Sequence, residues 1–380
     1  MRLLVISHTA HYLRDGRTVG WGPTVRELSR LAHLFDELVH VAPLHPDAAP
    51  ASALPYEADN VRHVPVRPAG GSTIRAKLGI LAAWSGYLRV ILPEMRRCDV
   101  VHVRCPSNIG LLMILLLAVV RSPRARWIKY AGNWQPGLPE DVSYTLQRWL
   151  LGRGLARAVV TVNGQWPHQP AHVRPFLNPC LTEEELREGA LVGSAKELTS
   201  PVRLLFVGRV EEAKGCGRAV DVVEGLRARG IDARLDIVGD GPERAFLLSR
   251  TERSELQERV RFHGWLPRPA LNRLYGEAHI LLFPSSSSEG WPKVLSEGMA
   301  YGVVPVASTV SSIPQYLERF GAGRALDPFD RRGFVEAIAG YVGDPKRWTA
   351  ESRRAIEAAR GFTYGSYLTA VRGVLDLEAA

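Results

Sequence analysis

The sequence predicts an α/β protein built from two doubly wound parallel-sheet domains, and three observations carry that expectation. The chain has 380 residues, more than a single hydrophobic core usually supports. Short apolar runs alternate with helical segments along both halves, the pattern of parallel sheets covered on both faces. A composition of 46% apolar and 23% charged residues is that of an ordinary globular protein.

The opening Met1-Arg-Leu-Leu-Val-Ile-Ser7 reads as the first strand. It is too short for the apolar core of a signal peptide and lacks a small-residue cleavage site. A long loop follows from His8 to Pro23, with Gly20, Trp21 and Gly22 just ahead of a helix through Val25, Leu28, Leu31 and Ala32. Glycines allow tight backbone above a sheet, and Pro23 suits a first helical position. Strands are expected over 37–42, 61–66, 100–104, 125–130 and 158–162. Residues 74–95 are apolar with Arg75, Lys77 and Arg89 interspersed, which suits either a core helix with charged edges or a helix lying on a membrane. The apolar run 109–120 falls well below the roughly 20 residues a bilayer span needs, so it reads as a buried helix. Asn133 lies in the loop after the fifth of these strands, at the carboxyl edge where open α/β sheets bind ligands.

The acidic, polar stretch 179–200 reads as an interdomain connection, leaving one domain of 1–178, joined by 361–380, and a second of 201–360. The second begins with a strand from Val202 that ends in Gly208-Arg209, then Lys214-Gly215 and a helix. Gly361 and Gly365 divide the tail into two helices.

The net charge of +9 is uneven: residues 1–178 carry 21 Lys and Arg against 11 Asp and Glu, whereas 179–380 carry 27 against 28. The basic half suits an anionic partner, a phospholipid surface or a phosphorylated acceptor, with solubility as the plain alternative. A nucleic-acid partner is disfavoured, since the charge is diffuse and no basic-aromatic or zinc-finger motif is present. Cys98, Cys105, Cys180 and Cys216 show neither a disulfide framework nor zinc spacing and fit a reducing cytoplasm.

The chain centres on Ser285 to Gly302. An apolar strand, His279 to Phe283, leads through a polar loop to Pro292, which is placed to open a helix. A helix starting at the carboxyl end of a parallel strand presents free N–H groups and a positive dipole end, a site for phosphate. Glu289 and Glu297 flank it. Carboxylates repel phosphate but accept hydroxyl protons, so these two suit the sugars attached to a diphosphate, unless each is simply a solvated side chain. A sugar nucleotide offers that combination of groups.

The spacing Glu289-x7-Glu297, with Gly290-Trp291-Pro292 after the first and Gly-Met-Ala-Tyr-Gly-Val-Val-Pro-Val-Ala-Ser after the second, resembles the donor-site signature of glycosyltransferase family 4, retaining enzymes of the GT-B fold. Gly208-Arg209, Lys214-Gly215, Val238-Gly-Asp-Gly-Pro-Glu243 and Val260-x-Phe-x-Gly264 resemble further segments of that family. The resemblance implies two Rossmann-like domains facing a central cleft, with a C-terminal helix crossing back to the N-terminal domain. It implies that Arg209 and Lys214 hold the donor diphosphate with Gly208 and the backbone of Lys293 and Val294, that Glu297 takes the ribose hydroxyls, and that Glu289 takes the transferred sugar. Backbone at His263 would pass beside the nucleotide base. Arg209, Lys214 and Glu289 are then the catalytic set, while Gly20, Trp21, Gly22 and Asn133 face the acceptor. Asn133 stands where many members have a histidine and offers a hydrogen bond without acid or base power.

No cofactor and no metal are expected, because paired cations can neutralise a leaving diphosphate and the chain contains no Asp-x-Asp. The expected partners are a nucleotide sugar, a glycan, lipid-linked or small-molecule acceptor and an anionic membrane surface. The setting is cytoplasmic or peripheral on the inner face of a membrane, in bacterial polysaccharide, glycolipid or other glycoconjugate synthesis. A GT-B sugar-nucleotide epimerase or sugar phosphorylase is the enzymatic alternative, and a basic nucleic-acid-binding or scaffold protein the non-enzymatic one.

Overall fold

The computed structural model describes all residues except 71–73, 136–139, 288 and 378–380, and leaves out the side chains of 74–78, 80 and 81. Arg75 and Lys77, singled out above for their charge, have side chains outside the described residues.

The chain runs β1 (Arg2–Ile6), β2 (His11–Arg14), β3 (Arg17–Trp21), α1 (Gly22–Ala32), β4 (Glu37–Pro43), β5 (Ala53–Pro55), β6 (Val61–Val66), α2 (Ile74–Met95), β7 (Val100–Cys105), α3 (Asn108–Val119), β8 (Ala125–Tyr130), α4 (Val142–Gly152), β9 (Val159–Val162) and β10 (Val173–Pro175). It continues with α5 (Glu183–Ser194), β11 (Val202–Val207), α6 (Cys216–Ala228), β12 (Ala233–Val238), α7 (Arg244–Arg253), β13 (Val260–Gly264), α8 (Arg268–Glu277) and β14 (Ile280–Phe283). Last come α9 (Lys293–Ala300), β15 (Val304–Ser308), α10 (Ile313–Phe320), β16 (Arg324–Leu326), α11 (Arg331–Gly343), α12 (Pro345–Ala359) and α13 (Tyr364–Leu375).

Two compact units result, Met1–Phe176 with Tyr367–Ala380, and Leu177–Ser366. The first holds a seven-stranded sheet ordered β10-β9-β8-β7-β1-β4-β6, parallel at every pairing. The second holds a six-stranded sheet ordered β13-β12-β11-β14-β15-β16, also parallel throughout. In both, the first strand lies inside the sheet and the chain winds outward to one side and then the other. That puts a topological switch point at the carboxyl ends of β1 with β7 and of β11 with β14, where this architecture binds ligands.

The cores follow from the strand sequences. Leu4 and Ile6 of β1 face one side with Val101, Val103, Met113 and Leu117. Leu3 and Val5 face the other with Leu28, Leu31, Trp127 and Tyr367, as the period of two requires. Each such fully buried aliphatic side chain contributes about 1.5–3 kcal/mol. Tyr367, Val371 and Val374 of α13 belong to this first-unit core, so the last helix packs there as expected. The run 109–120 forms α3, capped by Ser107, whose Oγ accepts from Gly110 N at 3.0 Å.

Three expectations differ from the structure. The loop between β1 and α1 is a β2–β3 hairpin that also pairs with β5. Its turn residues Asp15 and Gly16 both hold positive φ, 52° and 73°, which the strand twist favours in a two-residue turn. Residues 179–200 fold as part of the second unit. Thr182 and Glu185 form a reciprocal capping box that starts α5, and Lys196 Nζ donates to the carbonyls of Tyr275, Ala278 and Tyr301 at 2.9, 2.7 and 2.7 Å. A cation is favoured there, at the carboxyl ends of α8 and α9. Gly365 lies within α13 rather than between helices; the break falls at Arg360–Phe362, a 3₁₀ turn.

Candidate active site

The donor-side residues gather at the carboxyl edge of the second sheet, where loops are laced together by close backbone contact. Gly208 N donates to Val238 O at 3.0 Å and Val210 N to Asp240 O at 3.0 Å. A side chain at Gly239, which has φ of 131°, would run into the Gly208 carbonyl, so glycine is required there. Gly215 plays the same part on the other side: its φ is 80°, and a Cβ would strike the Pro284 carbonyl. Ser286 N donates to Ala213 O at 2.9 Å and Arg218 Nε to Pro284 O at 2.8 Å. The loop after β11 is thereby held against the loop after β14.

This lacing brings Lys214 and Glu289 into an ion pair across 75 positions of sequence. Ser285 Oγ donates to the same Glu289 oxygen at 3.3 Å. Arg209 stands at the mouth, its side chain 65% exposed and paired with Glu211 at 2.8 Å. Pro292 occupies the cap position of α9 and makes no side-chain cap to the first turn, which Lys293 and Val294 open. The paired cations, the carboxylate and the helix start expected from the sequence therefore lie in one unit and on one edge.

Glu297 lies one turn into α9. Its Oε1 pairs with Arg268 at 2.7 Å and its Oε2 accepts from the Tyr275 hydroxyl at 3.0 Å. Arg268 also donates to Glu185 Oε1 at 2.8 Å. Burial acts to lower the Arg268 pKa, but Glu297 and Glu185 outweigh it and raise it well above the usual value. Two of the roughly four lone-pair positions of the Glu297 carboxylate are used, which leaves room to accept hydroxyl protons. Arg268, Tyr275 and Glu185 were not singled out in the sequence; only the Thr182-x-x-Glu185 capping pattern gave a local signal for any of them.

Two residues of the donor-site signature, expected on the donor side, turn inward. Trp291 is 3% exposed; its indole stacks on Phe362 at 5.6 Å, meets Tyr316 edge-on at 5.0 Å, and donates to Ser296 Oγ at 2.6 Å. Its side chain is therefore core, and Gly290, whose carbonyl accepts from Ser312 Oγ at 3.0 Å, is likewise tied inward. The His263 ring is engaged by Asp236 at 2.6 Å, which leaves unaltered the expectation that rested on the backbone there.

On the acceptor side, Gly20 pairs with His11 across the hairpin, and a Cβ there would lie 2.6 Å from the His11 ring. Gly22 N donates to Ser52 O at 3.2 Å. Both glycines thus serve packing, while Trp21 between them is half exposed. Beneath lies a directed hydrogen-bond chain. His11 Nδ1 donates to Thr9 O at 2.8 Å, so its Nε2 accepts from the Tyr56 hydroxyl at 2.7 Å. The Tyr56 oxygen accepts from His40 Nδ1 at 2.6 Å, and His40 Nε2 accepts from Ser7 Oγ at 2.7 Å; these tautomers are assigned from the network. Asn133 is 7% exposed, and its Oδ1 has no partner among the described residues. A buried amide oxygen left unpaired is costly unless a ligand donates to it.

The two parallel-sheet units and their switch points define the GT-B fold. Its solved neighbours include sucrose-phosphate synthase from Thermosynechococcus elongatus, at a TM-score of 0.67 and 16% identity over 98% of each chain. HepE of Anabaena in complex with UDP matches at a TM-score of 0.68 and 15% identity, over 99% of this chain and 100% of that one. Residues 194–362 match the family Glycosyl transferases group 1, which makes the second unit a domain of that group. An amylovoran biosynthesis glycosyltransferase, AmsK of Erwinia amylovora, is 34% identical over 131 residues, 33% of this chain and 32% of that protein. The first curated relatives are matched over only about a third of their length. A phosphatidyl-myo-inositol mannosyltransferase of Mycolicibacterium smegmatis is 25% identical over 352 residues, 88% of this chain and 85% of that protein.

Proposed function

We propose that the chain is a retaining, metal-independent glycosyltransferase that moves a sugar from a nucleotide-diphosphate sugar to an acceptor. The observation that carries this reading is the Lys214–Glu289 pair beside the start of α9, in a domain that matches Glycosyl transferases group 1. The donor diphosphate rests on the first turn of α9, with Arg209 and Lys214 as its counter-charges. Lys214 has three N–H donors and can hold Glu289 and a phosphate oxygen together. Glu297 accepts from the ribose hydroxyls through its remaining lone pairs, and Glu289 accepts from a hydroxyl of the transferred sugar.

In the reaction, the bond from the anomeric carbon to the phosphate oxygen breaks and a bond to the acceptor oxygen forms on the same face. The departing phosphate oxygen takes the acceptor proton, and Arg209 and Lys214 stabilise the charge it acquires as counter-charges to the diphosphate. The UDP complex of HepE makes a uridine diphosphate sugar the first donor to test. The acceptor is a glycan, a lipid-linked sugar or a small molecule, met by the basic first unit at an anionic membrane surface on the cytoplasmic side. Among the described residues, no helix is long and apolar enough to cross a membrane.

Proton NMR of the anomeric region tests the reaction class, with each nucleotide sugar incubated alone and with candidate acceptors. A new glycoside, or slowly released sugar, with the donor's own anomeric configuration supports the reading. Inverted configuration contradicts it. An epimerised nucleotide sugar formed without acceptor, or turnover that requires inorganic phosphate, replaces it with one of the two GT-B alternatives. Vesicle sedimentation tests the membrane part: binding to anionic but not zwitterionic vesicles, weakening as salt rises, supports it.

A further inference from the structure

The first unit contains a second basic site, on the opposite edge of its sheet from Asn133. A cavity of about 570 Å³ opens at the amino ends of β8 and β9, lined by Arg124, Arg126, Arg157 and His172, with Val374 and Asp376 at the end of α13 forming another wall. Among the described residues, Asp376 is the one acidic group of this lining, set against three arginines.

Arg126 forms the floor. It is buried, and its guanidinium donates to the carbonyls of Pro123, Leu117, Ala156 and Val120 at 2.7, 2.7, 3.0 and 2.8 Å. These four acceptors fix its position but carry no charge, so a buried cation is left without a counter-ion, an arrangement that is costly unless something anionic arrives. Burial first, and the nearby Arg157 second, push the Arg126 pKa down.

Arg124 and Arg157 stand at the exposed rim, and neither side chain has a hydrogen bond or ion pair among the described residues. Arg157 also holds φ at 50°, a left-handed conformation uncommon for a non-glycine residue and concentrated at ligand clamps. A strained backbone that carries an unpaired arginine onto the lip of a cavity with a buried, uncompensated arginine is an anion cradle. Among the described lining residues, three arginines against one carboxylate leave an excess of two positive charges. A phosphomonoester carries about −1.5 to −2 at neutral pH and presents three strong acceptor oxygens, and arginine matches its geometry better than lysine does.

We propose that this cavity binds a phosphoryl group, supplied by a soluble phosphomonoester or by a phospholipid headgroup, with Arg124 and Arg157 closing over it and Arg126 beneath. Its ligand bridges the starts of β8 and β9 to the end of α13. The residues that form it all belong to the first unit, and none is among those assigned to the donor diphosphate.

The test uses the full chain carrying Arg209→Ala and Lys214→Ala, so that phosphate taken up at the donor side does not register. Inorganic phosphate is titrated by phosphorus NMR and by thermal shift, with sodium chloride of equal ionic strength as reference, and vesicles of phosphatidic acid in phosphatidylcholine are sedimented against phosphatidylcholine alone. Arg124→Gln with Arg157→Gln is then added; both side chains are exposed, and circular dichroism checks the fold. Tenfold or greater loss of phosphate affinity in the added variant supports the site with a soluble ligand. Loss of binding to phosphatidic acid vesicles supports it with a lipid one. If the arginine changes alter neither binding, or chloride stabilises as well as phosphate and the vesicles show no arginine dependence, the proposal is overturned.

Discussion

Lys214 and Glu289 are joined as an ion pair by two loops whose backbones touch at Gly215 and Pro284. In the proposed reading, the pair sets a cation for the donor diphosphate beside a carboxylate for its sugar. Removing each partner should therefore have a different effect. Lys214→Ala should lower kcat by about 10²–10³, the range seen when one donor to a developing oxyanion is lost, with little change in Tm because the side chain is partly exposed. Glu289→Ala should lower kcat while leaving the affinity for free nucleotide diphosphate nearly intact. Steady-state kinetics with nucleotide titration checks both; a Glu289→Ala variant that loses nucleotide binding as well contradicts the division of roles.

Glu297 is held by Arg268 and Tyr275, and the proposed reading gives its remaining lone pairs to the ribose. A hydrogen bond to a charged group is worth about 1.5–3 kcal/mol, and about 1.4 kcal/mol is tenfold in affinity. Glu297→Ala should therefore weaken nucleotide binding by roughly 10- to 100-fold and lower Tm, since it strips a carboxylate from Arg268. Calorimetric titration with the nucleotide alone checks the assignment, and undiminished affinity removes it.

Turnover should survive a chelator, because Arg209 and Lys214 supply the counter-charge that a divalent ion would otherwise bring. Assays with and without EDTA decide this. Activity that disappears in EDTA and returns with magnesium or manganese shows that the two cations are insufficient.

Acid should destabilise the first unit through His11 and His40. Burial, then the neighbouring His63, pulls the His11 pKa down to about 3; burial, then His11, takes His40 well below its usual value. Both folded values lie below the unfolded value of about 6.5. The stabilisation is thus complete above about pH 6.5 and is lost progressively as pH falls toward 3, at about 1.4 kcal/mol per unit for each histidine. Urea midpoints between pH 7.5 and 4.5 should fall steeply in the parent and about one proton less steeply in His40→Gln. Equal slopes would show that His40 does not titrate with unfolding.

Much of the fold was legible because parallel strands buried on both faces read as short apolar runs; β4, β6, β7 and β8 fall within a residue of their expected limits. The hairpin was missed although Asp15-Gly16 announces it, because three glycines nearby invited a loop. Residues 179–200 looked like a connection because their charge is local and visible, whereas Lys196 finds its three carbonyls 79 to 105 positions away. The candidate site divides in the same manner. Arg209, Lys214, Glu289 and the start of α9 stand in a recognisable pattern, but the Arg268–Glu297–Tyr275 contacts are made only when α8 packs on α9. Trp291 lies between two residues assigned to the donor, and only the packing of Phe362 and Tyr316 shows that its ring turns away.

The most direct test of a nucleotide-sugar site on the second unit is a thermal-shift panel of UDP-, GDP- and ADP-sugars on the parent and on Lys214→Ala. Ligand that binds the folded chain at a hundred times its Kd stabilises it by about 2.7 kcal/mol. One nucleotide class should raise the Tm of the parent by several degrees and that of the variant by much less. No shift with any of the three, or an equal shift in both proteins, would contradict the assignment of Lys214 and its loop to the donor diphosphate.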